Sequence, residues 1–150
     1  MLYLEYESFR VKYLDLCEKF NEVLSEKERL LTKALPSATR YDKEPVKVSV
    51  NGSPLEDYAI TVEEKKIDKN LCRIRKMMDD RKKLLDIKEN ELRKSQDIYD
   101  KIYLMRYIDG YGISAIANAL NYSKSQVYRK VEQVKKRCDK MRQNAKNNVL

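Results

Sequence analysis

Histidine and tryptophan are absent from this 150-residue chain, and glycine, proline and cysteine occur three times each. Each shortage removes a class of protein. Without histidine, the commonest general base and activator of nucleophiles is missing. No glycine-rich loop follows a strand to cradle a phosphate. Acids such as Asp79 and Asp80 fall in a charged helical stretch and read as solvated. The expectation is therefore a protein that is not an enzyme and carries no cofactor. Structural zinc takes four ligands, usually Cys and His. Cys17, Cys72 and Cys138 are isolated, odd in number and without Cys-x-x-Cys spacing, so they read as reduced thiols and no metal is expected. Sandwiches and barrels need more turn residues than three glycines and three prolines supply, and a chain with 37% charged residues has the composition of an all-α protein. No apolar run approaches the roughly 18 residues of a membrane span. The opening MLYLEYESFR is mixed and acidic, unlike a signal peptide. A cytoplasmic protein with no membrane partner is expected.

What is abundant is charge, and it is uneven. The net charge is +8, and residues 124–150 alone hold nine Lys or Arg against Glu132 and Asp139. Such a bias fits either a polyanion docking at that end or a solvated basic tail.

Four segments emerge from periodicity. Residues 1–35 place apolar or aromatic side chains at Leu2, Tyr6, Phe9, Tyr13, Leu16, Phe20, Val23, Leu30 and Ala34, alternating steps of four and three apart from the interruption at Lys27. This is a heptad helix in need of a partner helix. Residues 36–61 contain all three prolines and Asn51-Gly52, and read as a flexible linker. Val46, Val48 and Val50 could form one arm of a hairpin over 46–58, although the second arm is poor. Residues 62–95 read as a long charged helix, with one seam through Leu71, Met78, Leu85, Leu92 and Tyr99 and a second through Ile67, Ile74 and Ile102 that turns polar between them. Met77, Leu84 and Ile87 widen its apolar face. The wide face suits a helical hairpin or bundle better than a strict coiled coil. The pairing helix is the N-terminal one, either in the same chain or across a homodimer.

Residues 96–150 read as three short-connected helices with a basic end. The first exposes a stripe of Ile98, Ile102, Met105 and Ile108 and stops at Asp109-Gly110. The second carries Ile113, Ile116, Ala117 and Leu120 on one face. Asn121 occupies a tight turn that favours glycine, with asparagine next. Ser123 is a good N-cap for the third helix, which buries Val127, Val131 and Val134 and offers Lys124, Ser125, Gln126, Tyr128, Arg129, Lys130 and Gln133 on the other side. Such a helix suits the DNA major groove. Gln126 and Arg129 are the candidates for base-edge contacts, and Ser125 either joins them or bonds a phosphate. Lys124, Lys130, Gln133, Lys135 and Lys136 are candidates for phosphate contact. Tyr128 either donates to a phosphate or packs on a sugar.

The run Arg106-Tyr107-Ile108-Asp109-Gly110, then Ile116-Ala117, Leu120-Asn121-Tyr122-Ser123 and Val127 resembles region 4 of bacterial sigma factors. Asn121 stands where that family usually has glycine, and Gly112 where it has a Ser or Thr cap. With the heptad helix, the linker and the charged helix, the whole resembles phage late-transcription regulators of the RinA and ArpU type. The motif covers about a third of the chain. The resemblance implies a sequence-specific regulator of late or packaging genes in a phage or prophage, with double-stranded DNA and host RNA polymerase as partners. The alternative is a small terminase subunit or another packaging protein, which also joins such a reader to helical oligomerisation segments.

Overall fold

A computed structural model describes residues 1–34 and 54–148, and every element among them is helical. The helices are α1 (Leu2–Ala34), α2 (Pro54–Glu64), α3 (Ile67–Lys94), α4 (Ile98–Tyr103), α5 (Ile113–Leu120) and α6 (Lys124–Asn147). A π-helical turn, Leu104–Ile108, continues α4. The chain is thus all-α with a long N-terminal helix, as its turn-poor composition predicts. It forms two compact units, residues 15–79 and residues 1–14 with 80–150. The expected boundary between 95 and 96 falls inside the second of these, and α1 contributes to both.

In the unit of residues 15–79, α2 begins at Pro54, where the linker was expected to run on to residue 61. Proline suits the first helical position, because its fixed φ is already helical and its missing N–H would have no partner there. Glu56 and Asp57 then lie in the first turn, at the positive end of the helix dipole. Residues 54–58 are therefore helix and not the second arm of a hairpin; the expected first arm and the rest of the linker lie outside the described residues. The long helix expected over 62–95 is interrupted at Lys65-Lys66. The amide of Lys66 bonds to the Glu63 carbonyl at 3.0 Å, and Lys66 itself is left-handed at φ 52°. Helix resumes at Ile67, which is buried, as are Val62 and Ile74. Lys27 pairs with Asp68 at 2.6 Å and Lys65 with Glu26 at 3.0 Å, so α1 faces the α2–α3 corner within the same chain. Exposed pairs of this kind add little stability.

The unit of residues 1–14 and 80–150 has two apolar clusters. One joins Tyr3 and Tyr6 of α1, Leu85 and Leu92 of α3, Tyr103 of α4, and Val134 and Cys138 of α6. Glu5 and Lys88 pair beside it at 3.2 Å, so here too the N-terminal helix finds α3 in its own chain. The other cluster joins Ile102, Ile116, Ala117, Val127 and Val131, with Ile98, Met105, Ile113 and Leu120 packed around them. The second expected stripe is present whole, whereas in the first Ile108 leaves Ile98, Ile102 and Met105 and packs against the tyrosine cluster. Met77, Leu84 and Ile87 differ: they are exposed rather than part of the packed face.

Two caps set the relative position of these helices. Asp97 caps α4, with Oδ1 accepting from the Tyr99 amide at 2.7 Å and the Asp100 amide at 3.3 Å. Ser95 Oγ accepts from the Asp97 amide at 3.2 Å and donates to Asp100 Oδ2 at 2.6 Å. The Asp100 side chain is 2% exposed and its Oδ1 accepts the backbone amide of Tyr3 at 3.0 Å. One of the open amides in the first turn of α1 is thereby closed by a residue of α4.

Candidate nucleic-acid interface

The corner between α5 and α6 is built from three residues. Asn121 is left-handed at φ 56°, ψ 39°, and its amide bonds back to the Ala117 carbonyl. The Tyr122 amide reaches the same carbonyl at 3.0 Å. Ser123 is extended and caps α6: its Oγ accepts from the Gln126 amide at 3.2 Å, while Gln126 Oε1 accepts from the Ser123 amide at 3.0 Å. This reciprocal capping box satisfies two donors that a helix start leaves open. Behind it, Ile116, Ala117 and Val127 are buried and hold the two helices together. The start of α6 is thus fixed by hydrogen bonds and by packing before any partner arrives.

Lys124, Ser125, Tyr128 and Arg129 come together on one side of α6, and with Ile113 at the start of α5 they line an open depression. All four are exposed, Tyr128 by 56%. Among the described residues none of the four makes a side-chain hydrogen bond or ion pair. Gln126 is exposed as well, but its carbonyl oxygen is engaged in the cap.

The structure does not bring Lys130 and Gln133 to that face. Both turn toward α4. Lys130 Nζ lies 4.8 Å from the centre of the Tyr99 ring and 5.8 Å from that of Tyr122, and Gln133 Oε1 accepts from the Tyr99 hydroxyl at 2.8 Å. Arg137 covers the same ring, its Cζ at 4.9 Å. Lys135 and Lys136 are exposed further along, without an ion pair among the described residues. At 1.5 Å rise per residue they lie roughly 18 Å from the helix start, beyond the ~12 Å width of a major groove. That distance fits flanking backbone rather than base edges.

The far end of α6 is tied to α1. Glu7 is 1% exposed; its carboxylate accepts from the Tyr103 hydroxyl and from the Arg142 guanidinium, and pairs with Arg10 at 3.3 Å. Burial works against its charged form, yet these three donors outweigh burial and hold the carboxyl below its ordinary value of 4.5. The Tyr103 hydroxyl is pushed far above the ordinary phenol range by burial and then by its bond to Glu7. Burial, and next the Glu7 charge, push the Cys138 thiol up to about 11, which keeps it protonated and unreactive.

The basic end is therefore not one surface. Lys130, Arg137 and Arg142 are engaged by partners within the chain, whereas Lys124, Arg129, Lys135, Lys136, Lys140 and Lys146 are exposed without an ion pair among the described residues. Sequence reasoning missed Glu7 and Asp100, each of which has a partner far along the chain, Arg142 at 135 residues and Tyr3 at 97, that leaves no local mark. It also missed the capping role of Gln126, for which the Ser-x-x-Gln spacing was available.

Among the described residues no group of three or more His, Cys, Asp or Glu is placed to hold a metal, and no helix is long and apolar enough to cross a membrane. No family model, no curated protein and no solved structure matches the chain.

Proposed function

We propose that the chain is a sequence-specific DNA-binding transcriptional regulator whose helix-turn-helix is the α5–α6 corner. The observation that carries the reading is the set of four exposed, unpartnered side chains, Lys124, Ser125, Tyr128 and Arg129, at the capped start of α6. A helix start that is rigid, cationic and rich in hydrogen-bonding groups meets the requirements of major-groove readout. The outward lysines further along α6 supply the sequence-independent attraction to phosphate. The resemblance to sigma region 4 and to phage late regulators adds that the target is a promoter of late or packaging genes in a phage or prophage, and that host RNA polymerase is a second partner.

A selection from random duplexes, followed by footprinting on the enriched sequence, tests the reading. One motif should emerge, with affinity that falls steeply as salt rises. Enrichment of nothing above background would end it. Native mass spectrometry separates the packaging alternative: a ring of roughly eight or more chains would assign the same helices to a small terminase subunit.

A further inference from the structure

We infer that Gln126 is a positioning residue, and that base discrimination at this face is carried by Arg129 through recognition of a single guanine. The inference rests on the DNA-reading function proposed above and assigns roles within it.

A glutamine reads adenine by accepting from N6 through Oε1 while donating to N7 through its amide. Gln126 Oε1 already accepts from the Ser123 amide at 3.0 Å. The capping bond folds the side chain back along the helix, so turning both its amide atoms to a base edge would draw it off the cap and open the start of α6. Arg129 has no such commitment. It is exposed, holds no ion pair or hydrogen bond among the described residues, and borders the depression formed with Ile113, Ser125 and Tyr128. Its guanidinium offers a planar fork of donors that matches guanine O6 and N7. Lys124 is a point charge at the first helical position and suits a phosphate. Lys130 and Gln133 are held against Tyr99. Among the described residues Arg129 is thus the guanidinium on the groove side with its full donor set free.

The full-length chain and the variants Arg129→Ala, Arg129→Lys, Gln126→Ala and Gln126→Glu are put through selection from a random duplex library. Exchange of the Ser123 amide proton is followed in each. Glutamate keeps the capping acceptor but cannot read adenine as glutamine does. The expected result is a wild-type motif containing a guanine whose preference falls roughly 10- to 100-fold in Arg129→Ala and is partly kept in Arg129→Lys. Gln126→Glu selects the wild-type motif with the Ser123 amide still protected. Gln126→Ala selects it too, with that amide exchanging faster. A changed motif in Gln126→Glu, or an unchanged one in Arg129→Ala, overturns the assignment while leaving DNA reading intact. A wild-type chain that selects no motif removes DNA reading itself and the assignment with it.

Discussion

Asp100 accepts the backbone amide of Tyr3 at 3.0 Å, although 97 residues separate them. The carboxylate is buried, and its second oxygen is bonded by Ser95. It therefore joins three things: the start of α1, the end of α3 and the first turn of α4. A buried acceptor in that role is costly to remove, because the amide it served loses its partner without regaining water.

Asp100→Ala is accordingly expected to lower the free energy of unfolding by about 2–3 kcal/mol, the range for a hydrogen bond to a charged group together with its stranded partner. Asp100→Asn should lose less, since the amide oxygen still accepts from Tyr3 and the amide nitrogen can donate to Ser95. Urea unfolding of the three proteins measures both. Equal losses in the two variants would show that charge, and not the acceptor, matters.

Glu7 gives a prediction in pH. Its folded carboxyl lies below the ordinary 4.5 despite burial, because Tyr103, Arg142 and Arg10 favour the charged form. A depressed folded value means that the unfolded chain binds the proton more readily. The stabilisation is then complete above the unfolded value and disappears as pH falls through the folded one. The urea midpoint of the wild type should decline between pH 5 and lower pH more steeply than that of Glu7→Gln. At pH 7 the variant should be weaker by about 1.5–3 kcal/mol, the scale of hydrogen bonds to a charged group. Parallel pH curves would show that Glu7 is not the group responsible.

The division of basic residues along α6 predicts two kinds of variant. Lys124→Ala and Lys135→Ala should each flatten the dependence of log affinity on log salt by about 0.9, with little loss of stability. Lys130→Ala and Arg137→Ala should leave that slope unchanged and instead lower stability by about 0.5–1 kcal/mol, because each deprives the Tyr99 ring of a cation stacked on it. Binding titrations at several salt concentrations, beside thermal unfolding, distinguish the two sets. A slope change in Lys130→Ala would mean that its ammonium leaves the ring for a phosphate.

Asn121 predicts a conformational effect. At φ 56° an alanine is expected to cost about 1 kcal/mol, the penalty of the left-handed region for a side chain with Cβ. Glycine there should be neutral within about 0.5 kcal/mol, its easier φ offset by the freer unfolded chain. Melting temperatures of Asn121→Ala and Asn121→Gly check the ordering, and a more stable alanine variant would contradict it.

Local periodicity made the corner legible. The apolar spacing through Ile113, Ile116, Ala117 and Leu120, the residue at Asn121, the cap at Ser123 and the stripe at Val127, Val131 and Val134 all report on neighbours within a few positions, where helical geometry is fixed. Leu85 and Leu92 on one line of the charged helix, and Ile67 and Ile74 on the other, were legible for the same reason. Three features were not. Proline at 54 reads equally as a breaker and as a first helical residue, and the packing of Val62 and its neighbours decides between them. Lys66 adopts a backbone conformation for which lysine carries no signal. Lys130 and Gln133 are turned to a partner in the chain, because Tyr99 presents a ring to the cation and a hydroxyl to the amide. Polarity in the sequence marks what a residue can bond, and it does not say whether that partner is solvent, a nucleic acid or the chain itself.

The tie between Glu7 and Arg142 bears on biosynthesis. A ribosome releases the N-terminal helix long before the segment that neutralises its buried carboxylate. Tyr3, Tyr6 and Glu7 must therefore wait for their full set of partners until residue 142 has emerged, and this unit cannot be completed before then.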